Sequence, residues 1–224
     1  MMVPYSTPAD GGITAGAMWW HGKTNRPGDT GFFANYVRSQ GLLFPYMKNA
    51  DIQDCPVGKS LPTPFTTWKD GNLVPAYATN NILFVQPSAT IQAVSMTAAE
   101  ESSNTVLMVD GVNSVNPASL TKSFFIREPF DVVNSRDNSA AAAGVSSPRM
   151  HGRHSGVACI SWLDGHATTR KPTFRNPGNV TFDARRALNI GELSPVALPT
   201  AIVAGDPNIP QYNRFFSLNK STGI

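Results

Sequence analysis

Charge is scarce in this chain: Asp, Glu, Lys and Arg make up 15% of 224 residues, against about 25% in an ordinary soluble protein. The 18 basic and 15 acidic side chains leave a formal net charge of +3, too balanced and too scattered for a nucleic-acid-binding surface. The local basic groupings, Arg149 with Arg153 and Arg170 with Lys171, read as solvated turns. No apolar run reaches the roughly 18 residues that a membrane span requires. The start lacks the basic, apolar and small-residue succession of a signal peptide. Cysteine is limited to Cys55 and Cys159, with no CxxC pair, so a zinc site built on thiolate pairs is not expected. Phosphate-binding, dinucleotide-binding and nucleophile-elbow motifs are missing as well. No cofactor, catalytic set or resident metal is therefore expected.

Glycine and proline are plentiful, 18 of each. Low charge with many turn-formers suits a β-rich protein whose surface is covered by neighbours, or an extracellular protein with a neutral polar surface. The length allows one substantial core. Three regions are expected: an irregular arm over 1–28, a head over 29–171, and a Pro-rich extension over 172–224. Asp29 or Thr30 can cap a helix over 31–40, where Phe33, Tyr36, Val37 and Gln40 fall at helical spacing. Residues 56–81 read as a loop, with strands at 82–86, 90–96, 105–109, 122–127, 156–163 and 166–170, and a short helix over 182–188.

The most telling segment runs from His154 to Gly165, HSGVACISWLDG. Its β-branched and aromatic residues lie between Gly156 and Gly165, and Asp164–Gly165 followed by HATT predicts a tight two-residue hairpin turn. Extended residues 155–163 would hold His154 and Asp164 roughly 33 Å apart at about 3.3 Å per residue. The two cannot then form an acid–base pair.

His154, nine intervening residues and Asp164–Gly165 resemble the H-x9-DG signature of prepilin-like proteins, surface and secretion pseudopilins. Arg153 directly before His154 fits. GLLFPYMKNADIQDCP at 41–56 resembles the segment that ends that family's helix, and SSNTVLMVDG at 102–111 resembles its acidic-ended strand. The resemblance covers roughly residues 30–170. It implies a β-dominated α+β fold: a pseudopilin-like head with an N-terminal helix packed on an antiparallel sheet, plus long irregular extensions. It also implies an extracellular or cell-surface structural subunit that self-assembles into a filament, tube or layer with copies of itself or with other pilin-like or envelope proteins. The family's long hydrophobic helix is not seen here. Either it was removed before this numbering begins, or the chain assembles without it.

Asp110, Arg153, His154, Asp164 and Gly165 are the family positions, with structural roles. Antiparallel pairing of 105–109 with 156–163 brings Asp110 beside Arg153 and His154. Cys55 and Cys159 either form one disulfide or remain two buried thiols, with Cys159 facing inward. Trp19 and Trp20 are candidate assembly contacts or, if the chain is instead a monomeric binding module, a platform for a glycan or protein ligand. Tyr212, Phe215 and Phe216 are candidate contacts across a neighbouring subunit. His151 with His154 could share an ion, and the Asp51–Asp54 and Asp131–Asp137 loops are the nearest candidates for the calcium known in related heads, although neither has EF-hand spacing.

Overall fold

A computed structural model describes residues 6–8, 17–19, 22–24, 36–41, 44–49, 55–62, 76–84, 96–114, 120–138, 148–175 and 180–223. In the N-terminal part, β1 (Ser6–Pro8), β2 (Ala17–Trp19), β3 (Gly22–Thr24) and β4 (Tyr36–Val37) form an antiparallel four-stranded sheet. Strands therefore occur where an irregular arm is expected. The expected N-terminal helix does not form over its described part. Tyr36 and Val37 pair with Thr24 and Lys23, and Arg38–Gln40 makes a 3-10 turn. A β-branched and an aromatic residue at the strand position outweigh a weak helical spacing. Residues 31–35 lie outside the described part. One helical turn, α1 (Phe44–Met47), follows.

β5 (Tyr77–Asn80) leads into α2 (Asn81–Phe84), a helical turn where a strand over 82–86 is expected. Asn80 explains the switch. Its Oδ1 accepts the N–H of Ile82 at 3.0 Å, while its Nδ2 donates to the carbonyls of Val106 and Phe216, each at 3.0 Å. A side chain that caps a helix start ends the strand there. The strand expected at 90–96 lies almost wholly outside the described residues.

β6 (Val106–Ser114) is the hub of the main sheet. After it come β7 (Leu120–Lys122), β8 (Phe125–Ile126), the hairpin of β9 (Phe130–Asp131) and β10 (Arg136–Asp137), then β11 (Pro148–His151), β12 (Ala158–Trp162) and β13 (Ala167–Arg170). Val109 lies between Ile160 of β12 and Ala78 of β5, both antiparallel, and Val112 lies between Arg149 of β11 and Lys122 of β7. β8 joins β5 in parallel. The fold is β-dominated, with few helices.

The chain from 172 onward is part of this body. α3 (Val180–Ala187) forms close to the expected helix, β14 (Ile190–Gly191) pairs with β11, and α4 (Ile209–Tyr212) carries the chain back to the core. Phe215 and Phe216, 3% and 0% exposed, pack with Val106, Ile160 and Trp162, and Tyr212 packs with Phe130, Leu198 and Ile202. The expectation that these aromatics lie across a neighbouring subunit is therefore corrected: they fill this chain's own interior. The same contacts remove residue 171 as a boundary. With little charge available, apolar area is best buried by folding back locally.

Buried ion pairs complete that attachment. Arg175 makes paired hydrogen bonds to Glu192 (2.7 and 3.0 Å) and to Asp137 (3.2 and 2.9 Å), and Arg149 donates to Glu192 at 3.0 Å. Arg149 is thus no solvated turn residue. The arrangement also occupies the Asp131–Asp137 loop, since Asp137 is taken by Arg175, and Asp131 by Asn134 and Arg136. Both carboxylates of that loop are therefore engaged by protein groups. The Asp51–Asp54 loop lies outside the described residues.

Two buried groups give opposite pH responses. Burial pushes the Glu128 carboxyl up from 4.5 to about 7, and burial pulls His151 down from 6.5 to about 4. The folded state keeps a proton on Glu128 that the unfolded chain releases above pH 4.5. Its contribution to stability therefore falls as pH rises through that window, by about 3 kcal/mol in all. The His151 contribution is full above pH 6.5 and is lost as pH falls toward 4. Glu128→Gln is accordingly expected to stabilise the fold at pH 8 far more than at pH 5, as urea unfolding at the two pH values measures.

Candidate functional site

The residues singled out from the sequence divide into two groups at opposite ends of β12. At the near end β6 places Asp110 in the interior, 0% exposed. The backbone N–H of Cys159 donates to its Oδ2 at 2.7 Å, His154 Nε2 lies 3.2 Å from the same oxygen, and Arg153 Nε lies 3.6 Å from Oδ1. Arg153, its side chain 1% exposed, also donates to the carbonyls of Ala76 (3.2 Å) and Gly111 (2.7 Å). Cys55 Sγ sits 3.4 Å from His154 Nε2. Strand β6 and the start of β12 are thus clamped through one carboxylate.

Local turn chemistry aims these groups. His154 and Val157 exchange backbone hydrogen bonds (3.0 and 3.2 Å) around Ser155 (φ 55°) and Gly156 (φ 86°). Two positive φ values in a two-residue loop match a type I′ turn. The strand expected from residue 156 therefore begins at Ala158. At the far end Gly165 alone has positive φ, 94°, and Trp162 bonds with both Gly165 (3.0 Å) and His166 (2.9 Å) across a three-residue loop. That pattern matches a type I turn closed by a left-handed glycine, so the tight primed turn lies at 155–156 and not at 164–165. Both glycines are strained by any side chain, whatever the space around them. Gly156→Ala and Gly165→Ala are each expected to cost about 1–2 kcal/mol, and thermal unfolding of the two variants checks that the losses are comparable.

Asp164 does not meet His154. Its Oδ1 accepts the backbone N–H of His166 at 3.1 Å and lies 2.5 Å from His166 Nδ1, and that side-chain hydrogen bond holds its carboxyl below the usual range. The His166 ring stacks on Trp162 (centroids 5.7 Å apart), and Trp162 packs edge-on against Phe215. The motif's second half therefore shapes the hairpin.

Cys55 and Cys159 are free thiols rather than a disulfide, and Cys159 lies on the exposed face and does not point inward. Burial and then the Asp110 carboxylate push the Cys159 thiol up. His151 is held neutral by burial, whereas His154 faces Asp110 and Cys55. Trp19 falls on β2; Trp20 lies outside the described residues.

Cys55, His154 and Asp110 together suggest a nucleophile relay, but the geometry opposes it. Sulfur and carboxylate both approach Nε2, whereas a relay needs the nucleophile on one ring nitrogen and the acid on the other. Cys55 is also 1% exposed. Comparisons with protein-family models, characterised proteins and solved structures gave no match. Among the described residues no helix is long and apolar enough to cross a membrane.

The spacing of the sequence singled out Asp110, Arg153 and His154. It gave no sign that Cys55 joins them or that Arg175, Glu192 and Asp137 form a buried network. The partners in both clusters are far apart in the chain, so only the folded sheet brings them together.

Proposed function

We propose that this chain is a structural subunit, related to pseudopilin heads, that self-assembles outside the cytoplasm. The observation that carries this reading is β13. Among the described residues it ends the order β13-β12-β6-β11-β14, and all four of its residues are exposed. An edge strand presents unpaired N–H and C=O groups that another chain can extend. The motif beside it supports the same reading, because its side chains brace β6, β12 and the hairpin instead of converging on a substrate.

The alternation of hydrogen-bonded pairs sets a test. Counting from the Trp162–His166 bond, Thr169 faces Cys159 across a non-hydrogen-bonded pair, so its N–H points to the free edge. Thr169→Pro should remove that donor, leave the β12 ladder intact, and abolish concentration-dependent association in sedimentation velocity. A folded proline variant that associates like the parent contradicts edge-mediated assembly.

A further inference from the structure

We infer that Cys55, Asp110 and His154 bind a single zinc-class divalent ion. One ligand atom from each residue (a thiol sulfur, a carboxylate oxygen and an imidazole nitrogen) lies within 4.8 Å of the other two. Zinc bond lengths of about 2.3 Å to sulfur and about 2.0–2.2 Å to nitrogen or oxygen, set at tetrahedral angles, give ligand–ligand edges of about 3.6 Å for S–N and about 3.4 Å for N–O. The separations here are 3.4 Å from Cys55 Sγ to His154 Nε2 and 3.2 Å from that nitrogen to Asp110 Oδ2. Two of the three donor–donor edges thus match such a site, and the third lies within 4.8 Å.

Hydrogen bonding alone serves the cluster poorly. One nitrogen faces both the sulfur and the carboxylate, and a single N–H cannot donate well to both. An ion satisfies all three donors at once. Coordination releases the Cys55 thiol proton to solvent, frees the Nε2 lone pair by placing the ring proton on Nδ1, and changes no oxidation state. A sulfur, nitrogen and oxygen set favours zinc and the later transition ions over calcium or magnesium, which prefer oxygen alone.

The surroundings support an ion. Thiolate and carboxylate together bring two negative charges to the ion, beside the Arg153 cation 3.6 Å from the carboxylate. The Cys159 N–H on Oδ2 and Arg153 near Oδ1 orient the carboxylate, as outer partners commonly do for metal ligands. Cys55 and Asp110 close the inner side (1% and 0% exposed), while the His154 side chain is 33% exposed. The ion would enter there and keep solvent in its fourth position. It would tie the Cys55 loop, β6 and the 154–157 turn together, a brace independent of whether the chain assembles.

The test uses the full chain, stripped with chelator and kept reduced, titrated with Co2+ and then Zn2+. The expected result is one cobalt per chain with a thiolate-to-cobalt charge-transfer band and the intense visible bands of a tetrahedral site, all bleached by zinc. Zinc at about 100 times its Kd should raise the unfolding midpoint by about 5–10 °C. Cys55→Ser should abolish the charge-transfer band, and His154→Gln should weaken binding by about 100-fold. Cys159→Ser, an exposed position, leaves Cys55 as the sole thiol and should keep the band, which assigns the sulfur even if Cys55→Ser does not fold. A folded, reduced parent that gives no thiolate band overturns the proposal, as does a band lost in Cys159→Ser.

Discussion

Ending the chain at Lys171 is expected to abolish folding. The deletion removes Phe215 and Phe216 from the cluster around Trp162, Tyr212 and Leu198 from the cluster around Phe130, and the β14 edge from β11. Losing one buried phenylalanine typically costs about 3–5 kcal/mol, and a whole domain is stable by only about 5–15 kcal/mol. Two buried phenylalanines therefore already approach the total. Asp137 would also lose Arg175, and Arg149 would lose Glu192, so two buried ion pairs would be broken. Circular dichroism and thermal melting of the 1–171 fragment check this. A fragment that melts cooperatively would show that the head closes without residues 172–224.

Asp110→Ala is the most damaging single change expected within the motif. The substitution leaves Arg153 in the interior, its side chain 1% exposed, without a carboxylate, and removes the acceptor for the Cys159 N–H. Breaking a buried pair by deleting one partner costs about 3–5 kcal/mol. Asp110→Asn keeps an acceptor for Cys159 and should lose less. Urea denaturation in the presence of chelator separates this loss from any effect of bound metal. A change below about 1 kcal/mol would mean that the clamp contributes little to the fold.

The legible part of the fold was its strongest β pattern. The apolar run VLMV became β6, ACISW became β12, and HATTR supplied β13, because β-branched and aromatic residues favour strands locally, with alternating burial in β12. The positions of Asp110, Arg153 and His154 followed from antiparallel pairing alone. The misread elements depended on distant partners. Asn80 turns the chain into a helix by reaching Val106 and Phe216, and the proline-rich C-terminal segment resembled an arm because its aromatic partners, Phe130 and Trp162, lie far earlier in the chain. The turn at Ser155–Gly156 was hidden for another reason: Ser-Gly is a weaker turn signal than Asp-Gly, and a serine at positive φ is uncommon.

Electron microscopy of the 224-residue chain, negatively stained across a concentration series, addresses self-assembly most directly. A structural subunit should form regular filaments, tubes or layers of constant repeat, which Thr169→Pro reduces to single particles. Compact single particles from the parent chain at every concentration would contradict assembly.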